Sequence, residues 1–143
     1  MNAFVVYDTQ FGNTQKIAEA VAETVGAKAV RVAEFKTEML VGISLLIVGS
    51  PILGWRPSEP TTAFLDSLSA GSLEGIRVAA FDTRVKMFIS GSASDKLDKR
   101  LVELGGISVA SPGKFYVKGK QGPLLKNELE KARIWAKDIL AAR

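Results

Sequence analysis

The sequence predicts an α/β fold, with five strands in a parallel sheet and helices on both of its faces. Three observations predict it. Strand and helix patterns alternate along the whole chain, as they do when parallel strands are joined by crossover helices. The strand runs are short and continuously apolar, rich in β-branched and aromatic residues, the composition of strands buried on both faces. Long irregular segments, 8–14, 50–57 and 82–91, follow the first, third and fourth strands. With right-handed crossovers all three fall at the carboxyl edge of the sheet, where such folds bind ligands.

Phe4-Val5-Val6-Tyr7 forms the first strand, and Ile17, Val21 and Val25 mark one face of a helix that Gly26 ends. Ala29 to Val32 is the second strand, and a short helix or turn covers Phe35 to Leu40. Leu45 to Gly49 is the third strand. It runs into Ser50 to Pro57, which two prolines and a glycine mark as irregular. Ser58 caps the next helix, with Pro60 in its first turn and Phe64, Leu65 and Leu68 on its apolar side. Ile76 to Phe81 is the fourth strand, and Asp82 to Gly91 reads as irregular. Ser94 or Asp95 starts a helix with Leu97, Leu101 and Leu104 on one face, ended by Gly105-Gly106. The fifth strand begins at Ile107, is interrupted at Pro112-Gly113 and resumes at Phe115 to Val117. The last helix runs from about Leu124 to Leu140, burying Leu125, Leu129, Ala132, Ala136 and Ile139. No repeat, linker or low-complexity stretch divides the chain, so one domain over residues 1–143 is expected.

The chain is 47% hydrophobic and 24% charged, the balance of an ordinary globule. It has no Cys and no His. That excludes disulfides, Cys/His zinc sites, Cys-held iron–sulfur clusters, cysteine nucleophiles and His-based triads. Chemistry then falls to a bound cofactor or to carboxylates. The N-terminus lacks a basic leader, and the longest apolar run, Met39 to Val48, is short of the roughly 20 residues of a membrane span. A cytoplasmic protein with no membrane role is expected. Residues 1–76 carry five basic and eight acidic side chains, and residues 77–143 carry fourteen and seven. The basic half is either a solvated face or a surface for an acidic partner. No motif supports nucleic-acid binding.

The first loop, Thr9-Gln10-Phe11-Gly12-Asn13-Thr14, joins a strand to a helix. Gly12 allows close backbone approach, the threonines offer hydroxyls, and the start of the helix offers free N–H groups and the positive dipole end. A phosphate monoester suits this loop; a plain helix cap is the other reading. It lacks the endings of a nucleoside-triphosphate loop and of a dinucleotide fingerprint.

Tyr7 to Ala18, read with Ile47-Val48-Gly49-Ser50-Pro51, resembles the flavodoxin-like FMN-binding family. The first loop is most similar to that of the flavodoxin domains of flavodiiron proteins, where an aromatic residue precedes the glycine, as Phe11 does here. The resemblance implies a short-chain, three-layer sandwich with strand order 2-1-3-4-5 and FMN held by three loops. Thr9, Gln10, Gly12, Asn13 and Thr14 would hold the 5′-phosphate, with Phe11 beside them. Ser50, Pro51, Ile52, Leu53 and Gly54 would line the flavin and ribityl chain, and Trp55 would stack on the ring. In the third loop, Asp82, Thr83 and Arg84 would meet the pyrimidine edge. That loop is more basic than the family's acidic one. A cation about 6 Å from the flavin would favour its reduced anionic form by roughly 3 kcal/mol before screening, on the order of 100 mV. Arg84, Arg56 and Lys86 are the candidates. The implied activity is electron transfer with a redox protein partner, here an acidic one. The family also hosts flavin-dependent oxidoreductases, such as quinone reductases and protoporphyrinogen-oxidase-like proteins. A module on this fold that has lost FMN and only binds partners is the third alternative.

Overall fold

A computed structural model describes residues 2–53, 56–85, 92–119 and 121–142. Its strands are β1 (Ala3–Tyr7), β2 (Lys28–Arg31), β3 (Leu45–Leu53), β4 (Arg56–Pro57), β5 (Arg77–Val85), β6 (Ile107–Ser108) and β7 (Gly113–Val117). Its helices are α1 (Asn13–Val25), α2 (Glu59–Asp66), α3 (Ala93–Glu103) and α4 (Glu128–Ala141). The sheet runs β2-β1-β3-β5-β6, with β7 pairing further along β5. Every pairing in it is parallel except that of β3 with β4. The five positions follow the expected order. The fifth is split: β6 pairs with Arg77 and Val78, and β7 with Phe81 to Val85. Pro112, with no N–H to donate, lies in the break.

Alternation along the strands divides the core. Val5, Tyr7, Leu45, Ile47, Ala79 and Phe81 face α1 and α4. Val6, Leu46, Val48, Val78 and Ala80 face α2 and α3. Phe81 meets Phe115 and Trp135 edge-on, each at 5.9 Å between ring centres. It lies so close to Gly49 that a Cβ there would sit 2.0 Å from its ring. Trp135 is thus a packing residue, and its indole N–H donates to Ser111 O at 2.9 Å. Arg77 closes the end of α4, donating through Nη2 to Ile139 O at 3.1 Å and to Ala142 O.

Several boundaries differ from those expected. Residues 50–53 and 56–57 are regular: β3 continues to Leu53, and Arg56–Pro57 pairs antiparallel with its end as β4. Pro51 is accommodated because β1 ends at Tyr7, opposite Gly49, and leaves that side of β3 without a neighbour. Likewise β5 continues through Asp82 to Val85, because β7 supplies a partner for each of these residues. The Phe35–Leu40 region is two 3₁₀ turns, Val32–Glu34 and Thr37–Leu40. Helix α3 starts earlier, with Ser92 as its cap accepting the Asp95 amide. Helix α4 starts later, because Leu124 forms a bridge with Val117 and Asn127 takes φ 72°. The consequence for ligand binding is a step. β1 stops while β3 and β5 run on together to the Pro51–Thr83 pair, and a cleft opens above the end of β1.

Candidate functional site

The cleft has a volume of about 440 Å³, within the range of small-molecule sites. Thr9, Gln10, Phe11, Asn13 and Thr14 line it from the first loop, and Pro51 and Ile52 from β3. Thr83, Arg84 and Val85 line it from β5, and Val117 from β7.

The first loop turns through Gly12, whose φ of 88° is costly for any residue with a Cβ. The Gly12 amide donates to Thr9 Oγ1 at 2.9 Å, so the Thr9 hydroxyl keeps its own proton to donate. No side chain caps the start of α1. The first-turn amides and the positive end of the helix dipole are therefore available to an anion. Thr14 Oγ1 lies 2.8 Å from Thr83 Oγ1, a buried bond that ties the first loop to β5. One proton serves that bond and the pair retains the other. The Asn13 side chain packs closely against Gly122, where a Cβ would come within 2.7 Å of its amide group.

The β5 side is organised by charge. Arg84 donates from Nε to Asp82 Oδ1 at 2.8 Å and from Nη2 to Oδ2 at 2.6 Å. Alternation on the strand puts both side chains on one face. The Ser94 amide at the start of α3 also donates to Asp82 Oδ2, at 2.8 Å. Asp82 is fully buried and Arg84 is 9% exposed. The hydrogen bonds to Asp82 raise the Arg84 pKa above its ordinary value, outweighing the effect of burial. The ion pair, 2.6 Å between Arg84 Nη2 and Asp82 Oδ2, cancels the two charges locally.

This placement alters the electrostatics expected of the third loop. Arg84 is at the cleft but neutralised. Arg56 lies across the β3–β4 hairpin and lines a different groove. Lys86 lies outside the described residues, as do Gly54 and Trp55. Asp82 does not line the cleft, since its carboxylate is engaged by Arg84 and α3. Ser50 does not line it either. Its buried hydroxyl accepts the Ser58 amide at 2.8 Å and lies 2.8 Å from Pro51 O. Ser58 Oγ is in turn 2.8 Å from Thr61 Oγ1. These hydroxyls knit β3 to the start of α2. Leu53 ends β3, paired with Arg56. Two lining residues, Val85 and Val117, were not expected. The alternation Phe81, Thr83, Val85 was their signal, together with the rule that the fifth strand also ends at this edge.

Among the described residues no cluster of acidic side chains could hold a metal ion. No helix of the described residues is long and apolar enough to cross a membrane. The family model for flavodoxin matches residues 5–135. The chain belongs to the flavodoxin family. Flavodoxins are FMN-binding proteins that transfer electrons to redox partners. Solved structures share the fold of this flavodoxin-family chain at low identity. A flavodoxin from the domain Archaea superposes with a TM-score of 0.85 at 22% identity, covering 99% of this chain and 97% of its own. Flavodoxin 1 of Bacillus cereus does so with 0.83 at 17%, covering 99% and 98%. Rubredoxin:oxygen oxidoreductase of Desulfovibrio gigas gives 0.80 at 21%, covering 98% of this chain but 35% of that longer one. No curated protein matches the sequence.

Proposed function

We propose that this chain, as one domain over residues 1–143, binds FMN in the cleft and carries electrons between redox proteins. The observation that carries this reading is the convergence of an uncapped helix start and three hydroxyls, Thr9, Thr14 and Thr83, on one cleft above β1. That donor set suits a phosphate dianion joined to a polar chain, and among the described lining residues the cation, Arg84, is paired with Asp82. The α1 amides with Thr9, Asn13 and Thr14 would hold the phosphate. Thr83 and the β5 main chain would meet the polar edge of the ring, and Phe11, Pro51, Ile52, Val85 and Val117 would shield its apolar parts from water. Gly54 and Trp55 retain the ring-side role the family resemblance implies. FMN would supply the redox centre. The proposal keeps the cytoplasmic location expected from the sequence, and an acidic partner.

The test is a titration of flavin-free protein with FMN and with riboflavin, followed by visible absorption and fluorescence. FMN is expected to bind at least about 100-fold more tightly, because several charge-assisted bonds go to the phosphate alone. Equal affinities, or no binding at micromolar FMN, would overturn the proposal and leave a partner-binding module. Rapid multiple turnover of a quinone with NAD(P)H would replace the carrier by an oxidoreductase.

A further inference from the structure

We infer that Gly122 is a positioning residue for the phosphate end of the cleft, and that it acts through the side-chain amide of Asn13. The inference rests on the FMN reading for the identity of the ligand. Asn13 lines the cleft and is 7% exposed. Among the described residues its side-chain amide has no hydrogen-bond partner. A polar group so enclosed costs free energy while it stays unpaired, and most such groups are paired. Asn13 is the first residue of α1, beside the uncapped amides of the helix start. The donor without a partner therefore stands where the loop offers its other donors to an anion.

The turn after β7 brings Gly122 to this place. Three backbone bonds fix it: the Lys118 amide donates to Pro123 O at 2.8 Å, the Leu125 amide to Tyr116 O at 2.9 Å and the Gly122 amide to Gly119 O at 2.9 Å. A Cβ at position 122 would lie 2.7 Å from both Asn13 Nδ2 and Asn13 Oδ1, and 3.0 Å from Cγ. Flipping the amide exchanges two atoms at equal distance and relieves nothing, so the side chain would have to move as a whole.

Gly122 thus supplies the room that the amide occupies. Its φ of 103° independently favours glycine there. Because the amide packs against a glycine and not on a competing acceptor, it breaks no bond to meet a phosphate oxygen, and the new bond counts fully toward affinity. Gly122 itself does not line the cleft, so its influence on the phosphate passes through Asn13.

The experiment is a double-mutant cycle on the ratio of FMN to riboflavin affinity, read beside the phosphorus NMR resonance of bound FMN. Asn13→Ala is expected to lower the ratio about tenfold. Gly122→Ala should lower it by about as much and shift the phosphorus resonance. Added to Asn13→Ala, it should change neither further, because the amide it displaces is gone. Gly26→Ala is the control for backbone strain. Gly26 has φ 75° with nothing within 4 Å of a Cβ, so this variant should lose stability and keep the ratio. Additive losses in the cycle, an unchanged ratio in Gly122→Ala, or an equal fall in Gly26→Ala would overturn the inference. Where Gly122→Ala does not fold, the wild type decides. Flavin-free protein is titrated with inorganic phosphate, and the Asn13 Nδ2 and Gly122 Cα–H resonances should shift together; silence of either one overturns the inference. The same titration separates the two failures. Absent FMN binding with both resonances still responding to phosphate sinks the proposed function alone, whereas FMN binding with the pair silent sinks the positioning role alone. Silence in both arms sinks both.

Discussion

The two walls of the cleft are built on different principles. The first-loop wall holds no charged side chain: its donors are amides and hydroxyls of Thr9, Gly12 and Thr14, contiguous in sequence. The β5 wall holds a full cation and a full anion that cancel, with the geometry completed by the Ser94 amide from α3. One bond, between Thr14 and Thr83, joins the two walls. The difference teaches that the field at a ligand site is not legible from residue types. An arginine at the cleft is electrostatically silent when a neighbour two residues away neutralises it, whereas a loop with no charged side chain attracts an anion through aligned dipoles.

The largest effect should come from breaking the ion pair. Asp82→Asn would leave the buried Arg84 guanidinium without this carboxylate, at a cost of about 3 kcal/mol in urea unfolding. Asp82→Asn/Arg84→Gln should recover most of that loss. In FMN-loaded protein the single variant should raise the potential of the flavin by up to about 100 mV before screening, and the double variant should return it. A potential that is equal in all three proteins would show that the pair supports the fold alone.

Next comes the dipolar wall. Gly12→Ala forces a Cβ into a φ of 88° and should cost about 1–2 kcal/mol in stability. FMN affinity should fall by about tenfold or more, and riboflavin affinity much less. Equal losses for the two flavins would remove the first loop from the phosphate.

The bond between the walls should matter less. Thr83→Val leaves the Thr14 hydroxyl without its buried partner, a loss of about 1 kcal/mol in denaturant unfolding. If Thr9→Val and Thr83→Val shift the ratio of FMN to riboflavin affinity equally, the division of labour between the walls is wrong.

The smallest effect is at the start of α3, which carries the Ser94 amide. The bond with Ser92, and then Lys114, holds the Asp95 pKa below its ordinary 3.8. A depressed carboxylate stabilises the fold above that value, and the contribution is lost as pH falls through the folded pKa. Because Asp95 is largely exposed, Asp95→Asn should cost on the order of a few tenths of a kcal/mol at pH 7. Wild type and variant should converge in acid melts once the pH falls below the folded-state pKa of Asp95.

Much of the fold was legible because burial writes itself into periodicity. The apolar runs at 4–7, 45–49 and 76–81 and the leucine stripes at 97, 101 and 104 are where strands and a helix stand. The first loop was legible as a site because its glycine, threonines and helix start are contiguous. Segments 50–53 and 82–85 were misread as irregular, since proline and charged residues argue against strands locally. Only the neighbouring β5 and β7 make them strands. For the same reason Ser50 was assigned to the cleft, although β3 turns its hydroxyl toward the cap of α2.

By itself the sequence determined the layered α/β arrangement, the carboxyl edge that carries the site and the glycine turn that opens α1. Those follow from hydrophobic periodicity and backbone sterics, which act over a few residues. Tertiary structure alone decided that Asp82 silences Arg84, that Thr14 clasps Thr83 across the cleft, and that Arg56 joins Lys96 and Arg100 around a separate groove. Each depends on which strands and helices lie side by side, and the electrostatic and hydrogen-bonding energies involved fall off within a few ångströms of space, whatever the separation along the chain.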